Sequence, residues 1–304
     1  MQNTTEVLTS KLKLSHLRKL CGELSERYRQ GLSPYLLTED HRLAYLITRF
    51  PATFGAIQKV LTEIKDFRIE SMLDLGAGPG TGYGAAKTLF SIQSATCVES
   101  DPSFVRLGKE IYAKEPIQWL QKDLKQPHQF SEHDLVLFSY SIGEIQEVHW
   151  DTILGSAWKS TRKALVIIEP GTPAGFERIR KLRDKLVALG GQIVAPCPHA
   201  DKCLMSGGDW CHFAARVQRT SQHRQAKEGE LGFEDEKFSY IIVGKEAAAL
   251  PEARILRHPV KQKGRIGFSL CTRTGLKTQT ITKKDREFYK QVKRLSWGDR
   301  FMIP

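Results

Sequence analysis

Apolar residues recur at three-to-four spacing through LSHLRKLCGELSERYRQGL and again through LAYLITRFPATFGAIQKVLTEI, so residues 5–66 read as helical, with a break at Pro51. The period changes at IESMLDLG. From there short apolar runs at 72–75, 95–98, 117–120, 135–138 and 164–168 alternate with helical stretches at 83–92, 103–113, 144–160 and 175–189. That alternation predicts an α/β domain, a parallel sheet covered by helices on both faces. GQIVAP reads as a sixth strand and FSYIIVGK as a seventh, separated by about forty residues with three cysteines and few strand signals. A connection of that length inside a compact domain is usually functional. Beyond Pro251, ARILRHPV, GRIGFSLC and LKTQTIT predict three antiparallel strands, followed by a basic helix, KKDREFYKQVKRL. The expected division is a helical region over 1–68, an α/β domain over 69–250 with a Cys-rich insertion at 196–236, and a small basic β/α module over 251–304.

Composition narrows the classes. With 40% hydrophobic and 26% charged residues the chain is globular rather than disordered or fibrous. No apolar run approaches the roughly 20 residues that span a bilayer, so no membrane association is expected. The stretch MQNTTEVLTSKLKLSHLRKLCGEL has no signal-peptide apolar core. It is basic and helix-like, as a mitochondrial presequence is, with Glu6, Glu23 and Glu26 against that reading. The chain carries a net charge of +12, and residues 251–304 alone hold 14 Lys and Arg against 4 Asp and Glu. The charge therefore has an address, the C-terminal segment, and reads as a polyanion-binding surface with nucleic acid as the leading ligand.

Chemistry enters at Asp74-Leu75-Gly76-Ala77-Gly78-Pro79-Gly80, between the first strand and a helix. Glycines there let the backbone turn tightly and approach a ligand, and the following helix offers its N-terminal amides. The dinucleotide fingerprint requires glycine three residues after Gly78, where this chain has Thr81. Glu99 ends the second strand, where a carboxylate accepts ribose hydroxyls. Asp123 follows the third strand and is placed to take the adenine amino group. Together these residues resemble the class I S-adenosylmethionine-dependent methyltransferases, whose seven-stranded, mostly parallel sheet matches the strand count. The resemblance implies that Gly76, Gly78 and Gly80 shape the methionine side of an S-adenosylmethionine pocket, with Asp74 bracing the loop or reaching the amino group.

The fourth strand runs into Ser139, Tyr140, Ser141 and, after Ile142 and Gly143, Glu144. In the methyltransferases this edge faces the methyl group. Ser139, Tyr140 and Glu144 are the candidate catalytic residues, although the acid or Asn followed by Pro-Pro that amino-methyltransferases carry here is missing. A sulfonium donor needs mainly in-line positioning, so a missing base does not remove the activity.

Six cysteines are present, and Cys197, Cys203 and Cys211 fall within fifteen residues, spaced by five and seven, with Cys271 later and Cys21 and Cys97 isolated. Without a secretory signal, metal binding is the better expectation than disulfides. Zinc, completed by His199 or His212, and an iron–sulfur cluster both remain open, since structural zinc favours closer cysteine pairs and a cluster tolerates irregular loops. A radical S-adenosylmethionine enzyme, built on a compact Cys-x3-Cys-x2-Cys loop, fits neither the spacing nor the α/β pattern.

CPHADKC, DWCHF and HRQAKEGELGFEDEKFSYIIV, with RFPAT at 49–53, IIEPGTP at 167–173 and WGD at 297–299, resemble a family of small-ribosomal-subunit RNA methyltransferases. That family has bacterial members and a mitochondrial methyltransferase-like factor needed for small-subunit assembly. The resemblance implies a [4Fe-4S] cluster on Cys197, Cys203, Cys211 and Cys271, and binding to small-subunit ribosomal RNA or a pre-ribosomal particle. The expected protein is a ribosome-associated monomer, cytoplasmic, or in the mitochondrial matrix if eukaryotic. Phosphate contacts are expected from Arg216, Arg219, His223, Arg224 and Lys227, and from Lys283, Lys284, Arg286, Lys290, Lys293 and Arg294. Two functions follow, a ribosomal RNA methyltransferase and a non-catalytic assembly factor on the same fold.

Overall fold

The computed structural model describes residues 13–29, 38–205, 208–227 and 229–303, so the helical readings over 5–12 and 30–37 lie outside the described residues. Helix α1 spans Leu14–Arg29, α2 Glu39–Thr48 and α3 Phe50–Leu61. Thr38 caps α2 by accepting the amide of His41, and Glu39 and Asp40 sit in its first turn, where carboxylates suit the helix dipole. Pro51 falls in the first turn of α3, where its missing N–H costs nothing, so the expected break is a helix start. Leu17, Leu20, Cys21 and Leu24 of α1 bury against Ala44 and Ile47 of α2.

The expected sheet follows. Strands β1 (Ser71–Leu75), β2 (Ser94–Glu99), β3 (Ile117–Gln121), β4 (His133–Ser139), β5 (Thr161–Pro170) and β6 (Gln192–Ala195) coincide with the first six predicted strands. Helices α4 (Thr81–Lys87), α5 (Pro102–Ile111), α6 (Trp150–Lys159) and α7 (Pro173–Ala188) lie between them. The expected helix over 144–160 starts only at Trp150. Two 3-10 turns, Ile142–Glu144 and Glu147–His149, precede it, because Ile145 is extended.

Two elements in the cysteine-rich stretch were not foreseen: strand β7 (Phe213–Gln218) and helix α8 (Ser221–Ala226), capped by Thr220. Strand β8 (Phe233–Gly244) is the predicted seventh strand, begun five residues earlier than its apolar run. The strand order is β3-β2-β1-β4-β5-β8-β6, with β7 paired to β8, so the sheet has eight strands rather than seven. Parallel pairing sets Leu75 opposite Val98 and Glu99 opposite Gln121. β8 is antiparallel to both β5 and β6, with Ile168 opposite Tyr240 and Ile193 opposite Val243.

The C-terminal segment forms a second sheet from β9 (Ala253–Ile255), β10 (Val260–Gln262), β11 (Arg265–Thr272), β12 (Gly275–Thr282) and β13 (Arg300–Phe301), with helix α9 (Arg286–Val292). Its order is β10-β11-β9-β13, with β12 paired to β11. Ile266, Phe268 and Leu270 alternate inward along β11 and pack with Ile255, Ile281 and Phe301. Asp285 caps α9, which is shorter than the basic run that predicted it.

The chain divides into two compact units, residues 1–128 with 137–147 and 215–236, and residues 129–136 with 148–214 and 237–304. Each is interrupted in sequence, so neither is a contiguous segment. Among the described residues no helix is long and apolar enough to cross a membrane.

Candidate functional site

In the first unit, three parallel strands end on one edge. Asp74 of β1 is 1% exposed, Glu99 of β2 is half-buried, and Asp123 follows β3 on an exposed turn. The amide of Lys122 donates to the Glu99 carbonyl at 3.1 Å, which brings the end of β3 beside the end of β2. Between β1 and α4, Gly76, Gly78 and Gly80 have φ of 77°, 55° and 86°, the left-handed region. A Cβ on Gly76 would lie 2.3 Å from the Ser141 Cβ, whereas one on Gly78 would meet no atom within 4 Å. The loop is therefore closed by packing at Gly76 and open at Gly78.

Each acid has a definable task. Glu99 accepts the Gly78 amide on Oε2 and the Asp101 amide on Oε1, both at 2.8 Å, so it clamps the glycine loop to the start of α5. A carboxylate has further lone pairs for ligand hydroxyls. Asp123 accepts the Lys125 amide at 3.0 Å and so shapes its own turn. Asp74 lies under α4, where a Cβ on Gly82 would fall 2.3 Å from its Oδ2, and it is hydrogen-bonded by the Tyr83 amide. Its Oδ2 has no hydrogen-bond partner. Burial, and then the charge of Glu99, push the Asp74 carboxyl up to about 7.

At the end of β4, Ser141 Oγ donates to the Leu75 carbonyl at 2.6 Å and fixes this turn against β1. Tyr140 is the one non-glycine residue with positive φ among the described residues, at 58°, a conformation that costs about 1–3 kcal/mol and persists only where neighbours impose it. Its hydroxyl donates to Glu236 Oε1 at 3.1 Å, and Arg49, from the RFPAT segment, binds the same carboxylate at 3.1 Å. Ser139 Oγ is buried without a partner, and Glu144 is exposed. Arg49 and Glu236 were not foreseen as site residues; only the RFPAT resemblance hinted at the first.

The second unit holds the cysteines. Cys197, Cys203, Cys211 and Cys271 line one cavity, which they share with Arg183 and Arg254. Phe176, Met205 and Leu256 form its apolar wall. Burial, reinforced by Cys197 and Cys203, pushes the Cys271 thiol up to about 12, and burial also raises Cys211 and Cys197. Cys21 and Cys97 are core residues, 6% and 0% exposed. Among the described residues no group of three His, Cys, Asp or Glu side chains is close enough to hold a metal ion. The expected metal centre is thus represented by four converging thiols and not by a formed coordination sphere. His199 lines the cavity, while His212 stacks on Trp210 with ring centroids 5.0 Å apart and meets the Trp210 carbonyl through Nδ1 at 3.1 Å.

The expected RNA contacts fall into two groups. After Phe233, β8 carries Glu234, Asp235 and Glu236, and all three are paired within the first unit. Glu234 meets Arg219 and Lys227 at 3.0 Å and the fully buried His223 at 3.3 Å, and Asp235 meets Arg216 at 2.9 Å. Burial works against the ionised Glu234, but the adjacent His223 imidazole and hydrogen bonds from Lys227 and Arg219 outweigh it and hold the carboxyl well below its usual range. Arg224 is exposed, as are Lys283, Lys284, Arg286, Lys293 and Arg294. Lys290 is exposed and pairs with Glu287 at 2.9 Å.

A sheet of this order, with a glycine loop after its first strand and acids at the ends of the next two, defines a class I methyltransferase-like fold. The profile of the family described as "Mitochondrial small ribosomal subunit Rsm22" matches residues 39–302, and the chain belongs to that family. "Ribosome assembly protein METTL17, mitochondrial" of Homo sapiens is 25% identical over 300 residues, covering 86% of this chain and 62% of that protein. "Rsm22-cox11 tandem protein 2, mitochondrial" of Schizosaccharomyces pombe is 22% identical over 335 residues, covering 88% of this chain and 44% of that protein. The chain thus spans less than two thirds of the length of these curated relatives. The solved magnesium protoporphyrin IX methyltransferase of Synechocystis, with bound SAH, is 10% identical with a TM-score of 0.43, covering 73% of this chain and 94% of that one. At that score the fold assignment rests on the strand order.

Asp74 gives the site a pH signature. Because its carboxyl titrates near 7 when folded and near 4 when unfolded, its favourable contribution is complete below about pH 4 and is lost as pH rises through 7. Asp74→Asn is expected to flatten this part of the pH dependence of urea unfolding between pH 5 and 7.5, by on the order of a few kcal/mol at the upper end. Parallel pH profiles for the two proteins would contradict the assignment.

Proposed function

We propose that this chain binds S-adenosylmethionine at the β1–β4 edge and acts on small-subunit ribosomal RNA during ribosome assembly. The observation that carries the reading is the glycine loop, closed at Gly76, open at Gly78 and clamped by Glu99. Gly76, Gly78 and Gly80 cradle the methionine portion, Glu99 takes the ribose hydroxyls on its remaining lone pairs, and Asp123 takes the adenine edge. Asp74 braces the loop from beneath. The donor supplies a sulfonium-activated methyl group, and the chain's part is to align the acceptor with it. Tyr140, held in its left-handed conformation, is the group placed to do so.

A second reading, a non-catalytic assembly factor that keeps the cofactor pocket, is favoured by the Tyr140–Glu236 hydrogen bond, which already engages the hydroxyl at the acceptor edge. Transfer of labelled methyl to small-subunit RNA supports the first reading, and its absence with intact RNA binding supports the second. In both, the exposed Lys283, Lys284, Arg286, Lys293 and Arg294 meet phosphates, with Arg224 the exposed member of the other group. The name of the human relative, a mitochondrial ribosome assembly protein, supports ribosome association, in the matrix if the source is eukaryotic and in the cytoplasm otherwise, and we take the chain to act as a monomer.

We read the four thiols that line one cavity as the ligands of a [4Fe-4S] cluster, with zinc as the alternative. The cluster, once bound, would tie the 197–211 segment to β11 through Cys271.

Calorimetric titration with S-adenosylhomocysteine is expected to show saturable binding, weakened at least about tenfold by Gly78→Ala, whose methyl meets no protein atom but occupies the open side of the loop. An undiminished affinity, or no heat with the unaltered chain, would overturn the pocket. Anaerobically purified protein is expected to contain about four iron and four sulfide per chain. Stoichiometric zinc without sulfide would overturn the cluster.

A further inference from the structure

Two guanidinium groups border the cysteine cavity, and both are buried. Arg183, on α7, is 3% exposed and Arg254, on β9, is 1% exposed. Arg183 donates through one terminal nitrogen to the carbonyls of His199 at 3.1 Å and Asp201 at 2.6 Å, which flank the chain between Cys197 and Cys203. Its other terminal nitrogen pairs with Asp184 at 2.8 Å, a carboxylate half-exposed to water. The guanidinium also lies within hydrogen-bonding reach of the Cys197 thiol. Its Nε is buried with no hydrogen-bond partner. Arg254 donates to the carbonyls of Pro196 at 2.9 Å and Gly298 at 2.8 Å, and stands opposite Cys271 in the β9–β11 register.

A buried guanidinium is costly unless negative charge lies close to it. Among the described residues no carboxylate lines the cavity, and Asp184, which Arg183 meets, is half-exposed to water. An oxidised [4Fe-4S] core carried by four thiolates is a dianion, and two arginines at its edge neutralise it. The site is therefore charged for an anionic, thiolate-ligated group.

We propose that Arg183 is the counter-charge of this centre, a positioning residue that stabilises the cluster's negative charge and raises its reduction potential, with Arg254 as the second positive group. This rests on the cluster reading above. Potentials of iron–sulfur centres depend on net charge, hydrogen bonding to sulfur and burial, and Arg183 bears on all of these.

The test compares full-length protein with Arg183→Gln, which keeps amide donors for the two carbonyls but removes the charge, and Arg183→Lys, which keeps the charge. Iron and sulfide content and circular dichroism come first, then the midpoint potential from a dithionite titration followed by electron paramagnetic resonance. The unaltered protein without iron and sulfide would show the cluster reading to be wrong, whatever the variants do. With a loaded parent, the expected result is a more negative potential in Arg183→Gln and a potential near the parent's in Arg183→Lys. Loss of loading in a folded Gln variant with retention in the Lys variant gives the same answer, as does folding of the Lys variant alone. Equal potentials and loading in all three proteins would overturn the proposal. So would unfolding of both variants, which would make Arg183 a clamp for the His199 and Asp201 carbonyls only.

Discussion

The amides of Gly76 and Ala77 both donate to one acceptor, the carbonyl of Val98, at 2.9 Å. That shared bond sits where parallel register has brought the end of β1 beside the end of β2, and the geometry of the candidate cofactor site depends on it. Once the loop is anchored to β2, Glu99 reaches the Gly78 and Asp101 amides, and Ser141 closes the other side on the Leu75 carbonyl. The left-handed glycines are what allow the chain to leave the strand, turn back onto its neighbour and still enter α4. A one-residue slip between β1 and β2 would dissolve the set, since it would turn every side chain to the opposite face.

Charges buried by the fold are the second organising feature. Glu234, Asp235 and Glu236 lie near the start of β8, and each is matched by cations from other segments of the same unit. Several of those cations were expected at RNA on the strength of charge alone. Their partners lie 7 to 19 residues further on, near the start of β8, while Arg49, which was not among them, reaches Glu236 across 187 residues. The exposed lysines and arginines around α9 are different. Their helix is short, its apolar side is occupied by the C-terminal core, and its charges face solvent. In the second unit, buried Arg183 and Arg254 accompany the four thiols, so the apolar wall of that cavity is interrupted by positive charge.

Much of this was legible in the sequence. Strands β1, β2, β4, β5 and β6 announce themselves as apolar runs because they are largely buried on both faces, whereas β3, at the end of the sheet, is only partly buried; Asp74, Glu99 and Asp123 fall at strand ends where parallel register must align them. Cys271 could be read as a fourth thiol returning on the strand GFSLC, but spacing alone does not fix the pairing of a thiol sixty residues further on, and the full set came through the resemblance. Strand β7 was missed because FAARVQ alternates buried and exposed positions with small and polar residues, below the threshold of an apolar run. The start of β8 was missed for the opposite reason: three acids in a row read as a solvated turn until the cations that neutralise them are in place. Arg183 and Arg254 gave no signal, because a buried arginine is spelled like an exposed one.

The central claim is that the edge formed by the ends of β1 and β2 is a nucleoside-cofactor pocket. Hydrogen exchange read by mass spectrometry, with and without saturating S-adenosylhomocysteine, tests it most directly. The account predicts slowed exchange confined chiefly to peptides covering residues 74–83 and 97–101, whose amides line the loop and its clamp. Unchanged exchange in both peptides, with ligand shown to be bound, would place the cofactor elsewhere and contradict the account.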